Sequence, residues 1–247
     1  MRFLRLLLVF ALLAASAARA ETAPANGRQL DDLERAITQD PENLALAADY
    51  RQLAIQTGAY DRSIKLFERL SKQRDAGAHA FMNLALAYVD RVPASGAIRQ
   101  VFLGRDAIDA LTKSIAKQPN DLAYLVRGVI NLFFDKAIFH RVDKGVADLE
   151  EARRLSAAHP HAAYVVRIYT SLGDGYFRLD QPQKAREIWR AGQQAFPSDE
   201  GLRRRLNASD EDARGIIAHV LDADVRVDTS LHDFLGNTVQ TIATARE

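Results

Sequence analysis

Residues 169–197 read YTSLGDGYFRLDQPQKAREIWRAGQQAFP, and the spacing inside this stretch decides the fold. Tyr169, Leu172, Gly173 and Tyr176 fall on one face of a helix, and Ala185, Ile188, Trp189 and Gly192 fall on one face of the next. Two apolar stripes of this kind pack as an antiparallel hairpin. Gly173 and Gly192 lack a Cβ and let the two backbones approach, while the rings of Tyr169, Tyr176 and Trp189 fill the volume beside them. Pro182 suits the first turn of the second helix, where the amide it lacks would have no partner, and Pro197 ends that helix. One hairpin cannot bury its own face, so the stretch requires neighbours of the same kind.

The order aromatic-x2-Leu-Gly-x2-Tyr, Ala-x3-aromatic and Pro, at Tyr169, Leu172, Gly173, Tyr176, Ala185, Trp189 and Pro197, resembles the tetratricopeptide repeat. The resemblance implies an all-α, right-handed α-solenoid of antiparallel helix pairs. About four repeats are expected within a repeat domain at 28–221, near 44–75, 78–119, 122–160 and 162–197, with capping helices. Residues 28–40, with Leu30, Leu33, Ala36 and Ile37 at helical spacing, look like an orphan second helix that caps the array. Repeat one carries Tyr50 and Ala54, the turn Gly58-Ala59-Tyr60-Asp61, then Ile64, Phe67 and Leu70. A shift by the family period of 34 places Ala47, Tyr50 and Ala54 on Phe81, Leu84 and Tyr88. The second helix of repeat two then shows as Ala107, Ile108, Leu111, Ile115 and Pro119, ten residues later than the period places it.

Residues 90–104 are therefore an insert, which begins as a Pro/Ser/Gly loop and turns apolar at Ile98, Val101 and Phe102. It is expected to extend the second helix backwards or to form a short lid packed on the groove. Repeat three opens at Leu122 and carries Tyr124, Arg127 and Gly128, with its second helix beginning at Gly145. Between its helices lie about five extra residues, across 133–144, holding Phe133, Phe134, Ile138, Phe139, His140 and Arg141. Rings in that number require cover, so packing against the first insert is expected, and a bare partner-binding patch is the alternative. Ser209 followed by Asp210, Glu211 and Asp212 marks another helix start. Residues 222–247 mix charges, Thr and small residues, and a loosely packed tail with room for one short helix is expected there, anchored only by Leu231, Phe234 and Leu235.

The chain opens with Arg2 and Arg5, an apolar run over 6–17, and Ala18-Arg19-Ala20 before Glu21. This reads as a secretory signal cleaved after Ala20, followed by a small, polar, flexible lead-in at 21–27. An uncleaved N-terminal membrane anchor is the alternative, although the run is short against the roughly 20 residues of a spanning helix. No later apolar stretch is long enough to span a bilayer. Localisation is thus expected to be exported, in the periplasm. Cysteine is absent, which excludes disulfides, a lipid-bearing cysteine and covalent c-type haem. The formal charge of +1 includes three Arg in residues 1–20, so the rest holds 30 basic against 32 acidic residues, and nucleic acid is not an expected partner.

No catalytic constellation stands out: there is no Gly-rich phosphate loop, no Gly-x-Ser-x-Gly and no His-Glu-x-x-His. His159-Pro160-His161 is explained by a helix stop. Asp148, Glu150 and Glu151, like Arg203-Arg204-Arg205, read as solvated helix faces. No metal, no cofactor and no enzymatic activity are expected.

In the family that this chain resembles, the first helix of each repeat lines a concave groove that takes extended peptides or partner segments. The corresponding positions here are Gln52 and Gln56 in repeat one, Met82, Asn83, Leu86 and Asp90 in repeat two, Leu125, Val129 and Phe133 in repeat three, and Arg167, Thr170, Asp174 and Arg178 in repeat four. The insert surfaces add Ile98, Phe102, Phe134, Phe139 and Arg141. The family's carboxylate clamp is matched only at Asn83, since Ala48, Gln52, Leu122 and Val126 occupy its other positions. The expected function is a periplasmic adaptor or assembly factor that grips an exported or envelope protein. The alternative is a binding protein for a small apolar ligand, enclosed by the two aromatic-rich inserts and associated with an envelope or transport system.

Overall fold

A computed structural model of the chain describes residues 26–134 and 141–235. Among the described residues there is no strand, and no helix is long and apolar enough to cross a membrane. Helix α1 covers 26–39. The four expected pairs follow: α2 (Leu44–Thr57) with α3 (Tyr60–Ser71), α4 (Ala78–Arg91) with α5 (Ala97–Lys117), α6 (Asp121–Phe133) with α7 (Val142–Ser156), and α8 (Val165–Arg178) with α9 (Pro182–Ala195). Helices α10 (Glu200–Asn207) and α11 (Asp210–Val220) close the array, and a short α12 (His232–Leu235) lies near the end. Helices α2 to α10 pack against their neighbours in chain order, and α2 also touches α4 as α6 touches α8, so first helices of successive pairs meet at both ends of the array. The array is an α-solenoid of stacked helix pairs.

The helix ends follow from local chemistry. Asn43, Asn120, Asp199 and Ser209 each accept a hydrogen bond from the backbone N–H three residues on, at 3.1, 2.8, 2.8 and 3.1 Å, which satisfies an otherwise unpaired amide. Gly58 ends α2 with φ +70°, a conformation that favours glycine, and the next amide, of Ala59, closes back on Ala54 O at 2.8 Å. Asn26 and Gly27, expected in a flexible lead-in, already belong to α1. The amides of a first turn have no helical partners, so polar and small residues there cost little.

Close backbone approach inside the pairs is enforced by glycine. A Cβ on Gly173 would meet Trp189 Nε1, and Trp189 is fully buried with its ring stacked 5.9 Å from Phe177. In the preceding pair Gly128 and Gly145 face each other, each lying where a Cβ would reach about 3 Å from the carbonyl oxygen of the other. At three junctions a tyrosine of a first helix donates to a glutamate on the second helix of the preceding pair. These are Tyr50 to Glu34 at 2.6 Å, Tyr88 to Glu68 at 3.0 Å and Tyr176 to Glu150 at 2.6 Å. The buried apolar residues form two clusters, one from α1 to α6 and one from α6 to α11.

The insert at 90–104 takes the first of its two expected forms. Asp90 still belongs to α4, Val92–Ala94 make a single 3-10 turn around Pro93, and α5 begins at Ala97, so the second helix of the pair is extended backwards to 21 residues. The second expansion lies between the end of α6 at Phe133 and the start of α7 at Val142; Phe139 falls outside the described residues.

Three expectations are corrected. Arg205 is buried, not solvated, because Asp174 stands opposite it. Asp148 is likewise buried, held by Arg127 through bonds of 2.9 and 2.6 Å. Third, residues 222–235 are not loosely packed: they turn back and lie along the inner face of the solenoid, where Thr229 and Leu231 are buried. An apolar inner face costs free energy when exposed to water, and the returning segment covers it.

Candidate functional site

The inner face is built mainly from the first helices, as the family resemblance implies, but its walls are not the full set expected. Leu86 and Val89 of α4, Leu125, Val126, Val129 and Phe133 of α6, and Val166, Arg167 and Thr170 of α8 border a cavity of about 670 Å³. Val92, Pro93, Ala97, Gln100, Val101 and Gly104 come in from the first insert, and Phe134 from the second. The two inserts meet here: a Cβ on Gly104 would lie 3.0 Å from the Phe134 ring, and the Arg141 guanidinium sits 5.5 Å from the same ring. Arg141 also donates to Asn131 Oδ1 at 3.2 Å.

Other expected site residues are placed differently. Met82 and Asn83 are fully buried within the array, so neither is an open groove position. Asp174 sits at the edge of the cavity but is committed to Arg205 at 2.7 and 2.8 Å. Gln52 is half-buried on α2, Gln56 is exposed, and Arg178 ends α8 away from the cavity walls. Ile98 and Phe102 point outward, 78% and 51% exposed, because the backward extension of α5 runs beyond the helix that would cover them. Phe102 keeps one partner, the Arg105 guanidinium 5.2 Å from its ring.

The roof of the cavity is the chain's own C-terminal segment, contributing Ala223, Val225, Val227, Thr229, Leu231 and Phe234. Residues 225–229 carry no regular secondary structure and are fixed by side chains instead. Gln100 donates to Asp224 at 3.1 Å. Arg226 donates to the backbone oxygen of Asp90 at 3.1 Å and to the Tyr60 hydroxyl at 3.0 Å, with its guanidinium 5.7 Å from the Tyr60 ring. Thr229 donates its hydroxyl to Asp90 Oδ1, and Arg167 donates to the backbone oxygen of Asp228 at 3.2 Å. Phe234 lies 5.1 Å from the Tyr164 ring.

Asp90 is the hinge of this arrangement. Its other oxygen receives Arg51 Nη1 at 3.3 Å, and both side chains are buried, 0% and 4% exposed. Burial pushes the Asp90 carboxyl up from its ordinary pKa, while Arg51, Thr229 and Arg226 pull it back down. Two donors of Arg51, Nε and Nη2, have no partner among the described residues, which leaves that guanidinium dependent on Asp90. Asp90 was legible as an inner-face residue; its partners were not. One signal was present in the tail, where Val225, Val227, Thr229 and Leu231 alternate with polar residues at the period of an extended strand. Among the described residues no group of His, Asp and Glu is placed to hold a metal ion.

Residues 18–87, which take in α1 to α3 and most of α4, match the family model described as "Tetratricopeptide repeat". No curated protein matches the chain. Among solved structures, TTC0263, a thermophilic TPR protein of Thermus thermophilus, superposes at a TM-score of 0.54 with 18% identity, over 80% of this chain and 94% of that one. Two crystal structures of MamA follow, both at a TM-score of 0.49 and 16% identity, over 72% and 73% of this chain and 93% and 87% of theirs. The Thermus likeness supports the fold alone, and the sequence match to the repeat family covers residues 18–87. The paired helices, the glycine contacts inside them and the repeat matched over residues 18–87 are what this chain has in common with tetratricopeptide-repeat proteins.

Proposed function

We propose that this protein is a non-enzymatic adaptor, exported to the periplasm after cleavage behind Ala20, which binds an extended segment of another envelope protein in its concave groove. One observation carries the reading: the groove already accommodates a polypeptide segment, residues 222–231, which has no helix or strand over 226–229 and is held through apolar side chains lining the cavity and hydrogen bonds at Gln100, Asp90 and Arg167. A tetratricopeptide array is a scaffold for protein partners, and this is the surface such arrays offer. Export rests on the pattern of residues 1–20.

The test is in two parts. N-terminal sequencing of the protein recovered from a bacterial envelope fraction should begin at Glu21; recovery with Met1 intact in the membrane would favour the anchored form. A photocrosslinker at Val129 should trap one specific partner, and Val129→Glu or Arg167→Glu in the otherwise unmodified chain should reduce capture of that same partner. Capture that ignores both substitutions would remove the groove from the reading.

A second reading is favoured by the cavity itself. At about 670 Å³ and with mainly aliphatic and aromatic walls, it matches the size and chemistry of a small-molecule site. Native mass spectrometry of the purified chain distinguishes the two: a stoichiometric apolar ligand supports the second reading and argues against the first.

A further inference from the structure

The polar contacts of the C-terminal segment are specific to side-chain type, and that specificity describes what the groove accepts. Arg226 uses two differently aimed N–H groups at once, one to the Asp90 backbone oxygen at 3.1 Å and one to the Tyr60 hydroxyl at 3.0 Å, with its guanidinium carbon 5.7 Å from the centre of the Tyr60 ring. A lysine ammonium has neither the fork nor the plane. Three residues on, the Thr229 hydroxyl gives a proton to Asp90 Oδ1 in a buried position. A valine there would leave a buried carboxylate oxygen without that donor, which is costly. Between and beside these two anchors, Val225, Val227 and Leu231 face the cavity wall.

We propose that the groove recognises extended segments of the form aliphatic-Arg-aliphatic-x-Thr, read by Tyr60, Asp90 and the apolar wall. Residues 225–229 are then a resident copy of that motif, which a partner's segment must displace. The inference rests on the adaptor reading and adds to it the chemistry of the partner and the regulation of its access. The resident copy is tethered, so it competes at an effective concentration on the order of millimolar, and an untethered segment meets a largely closed groove. Binding by a partner is therefore set by how firmly the tail holds. The contacts that hold it reach α3 and α4 through Arg226 and Thr229, α5 through Asp224, α8 through Asp228, and Tyr164, just before α8, through Phe234.

The experiment uses the full mature chain and a fluorescein-labelled peptide with the sequence of residues 222–235, followed by anisotropy. The wild-type chain should bind the peptide weakly. A chain carrying Arg226→Ser and Thr229→Ala, which changes only the tail and leaves the groove walls intact, should bind it about 10-fold or more tightly. Peptides carrying Arg226→Glu, or Thr229→Val, should lose that gain. A circular dichroism spectrum equal to wild type shows that the tail variant is folded. Hydrogen exchange gives a second readout free of substitutions: excess wild-type peptide should accelerate exchange of the chain's own amides at 222–235.

Equal affinity of the two chains for the peptide overturns the proposal, as does undiminished binding of the Arg226→Glu peptide. Release of the tail by a single-chain lipid instead of by the peptide also overturns it, since the groove is then a small-molecule site. The two readings fail separately. A groove that exchanges its tail for the peptide while no envelope partner is trapped at Val129 retains the recognition rule and loses the adaptor role. Trapping of a partner that is unaffected by the tail substitutions does the reverse.

Discussion

Arg205, near the end of α10, holds the carboxylate of Asp174 on α8 through two hydrogen bonds of 2.7 and 2.8 Å, with about 5% of either side chain exposed. The pair ties the closing helix to the last full repeat. Removing one partner strands the other charge in the interior, which costs about 3–5 kcal/mol, whereas apolar replacement of both is often nearly neutral. Arg205→Met should therefore lower the urea midpoint sharply, and Arg205→Met combined with Asp174→Leu should recover most of the loss. If the double variant is less stable than the single one, the burial argument fails.

Gly173 predicts a packing effect that has nothing to do with backbone flexibility. A methyl group there would meet the Trp189 indole, itself fixed by a 3.3 Å bond from Nε1 to the Thr170 oxygen and by its stack on Phe177. Gly173→Ala should destabilise by about 1–3 kcal/mol, the usual cost of overpacking, despite the better helix propensity of alanine. The check is thermal unfolding followed by Trp189 fluorescence, and a stabilised variant would contradict it.

Acid should loosen the junctions between repeats. Burial tends to raise the pKa of Glu34 and of Glu150, but the bonds from Arg62 and Tyr50 to the first, and from Tyr176 and Arg153 to the second, outweigh it and hold both carboxyls below the ordinary 4.5. A depressed pKa means stability that is fully present above the unfolded value and is lost as pH falls through the folded one. Glu34→Gln and Glu150→Gln should thus be less stable than wild type at neutral pH, with the gap closing as pH falls below the ordinary glutamate range. A gap that stays constant across the titration would refute the assignment.

Helix α5 offers a contrast along its own length. Ile98 and Phe102, on the exposed backward extension, should tolerate Ser with stability changes within about 0.5 kcal/mol. Leu103, 5% exposed and one residue further on, should cost about 2–5 kcal/mol as Ala. Equal effects at Phe102 and Leu103 would mean that the extension is covered in solution.

Most of the helical framework was readable because it rests on local spacing. Tyr169 to Tyr176 and Ala185 to Gly192 show their shared faces within a few turns, and Ser209 announces a helix start with its own side chain. The inner face was only half readable. Val129, Phe133, Arg167 and Thr170 border the cavity as the family pattern implies, yet Met82, at the position that Thr170 holds in repeat four, and its neighbour Asn83 are fully buried and outside the cavity wall. That difference depends on how far one pair is rotated against the next, which no short window of sequence encodes. Arg205 and Asp148 misled because an arginine triplet and an acidic run look solvated unless their partners, Asp174 and Arg127, are known. The tail was the largest gap: its partners Gln100, Asp90 and Tyr60 lie 124 to 166 residues away in the chain.

Those separations bear on how the molecule comes apart. A plain solenoid is held only by contacts between neighbours, so its ends fray and its repeats unfold one after another. Here the bond from Arg226 to Tyr60 fastens a late segment to the first full repeat, and Leu231 joins the buried cluster of α1 to α6 while Phe234 also touches that of α6 to α11. The array is in effect buckled end to end. Its loss of structure is expected to be a single cooperative event, and its folding slow for an all-helical chain, because the buckle closes a loop of most of the polypeptide.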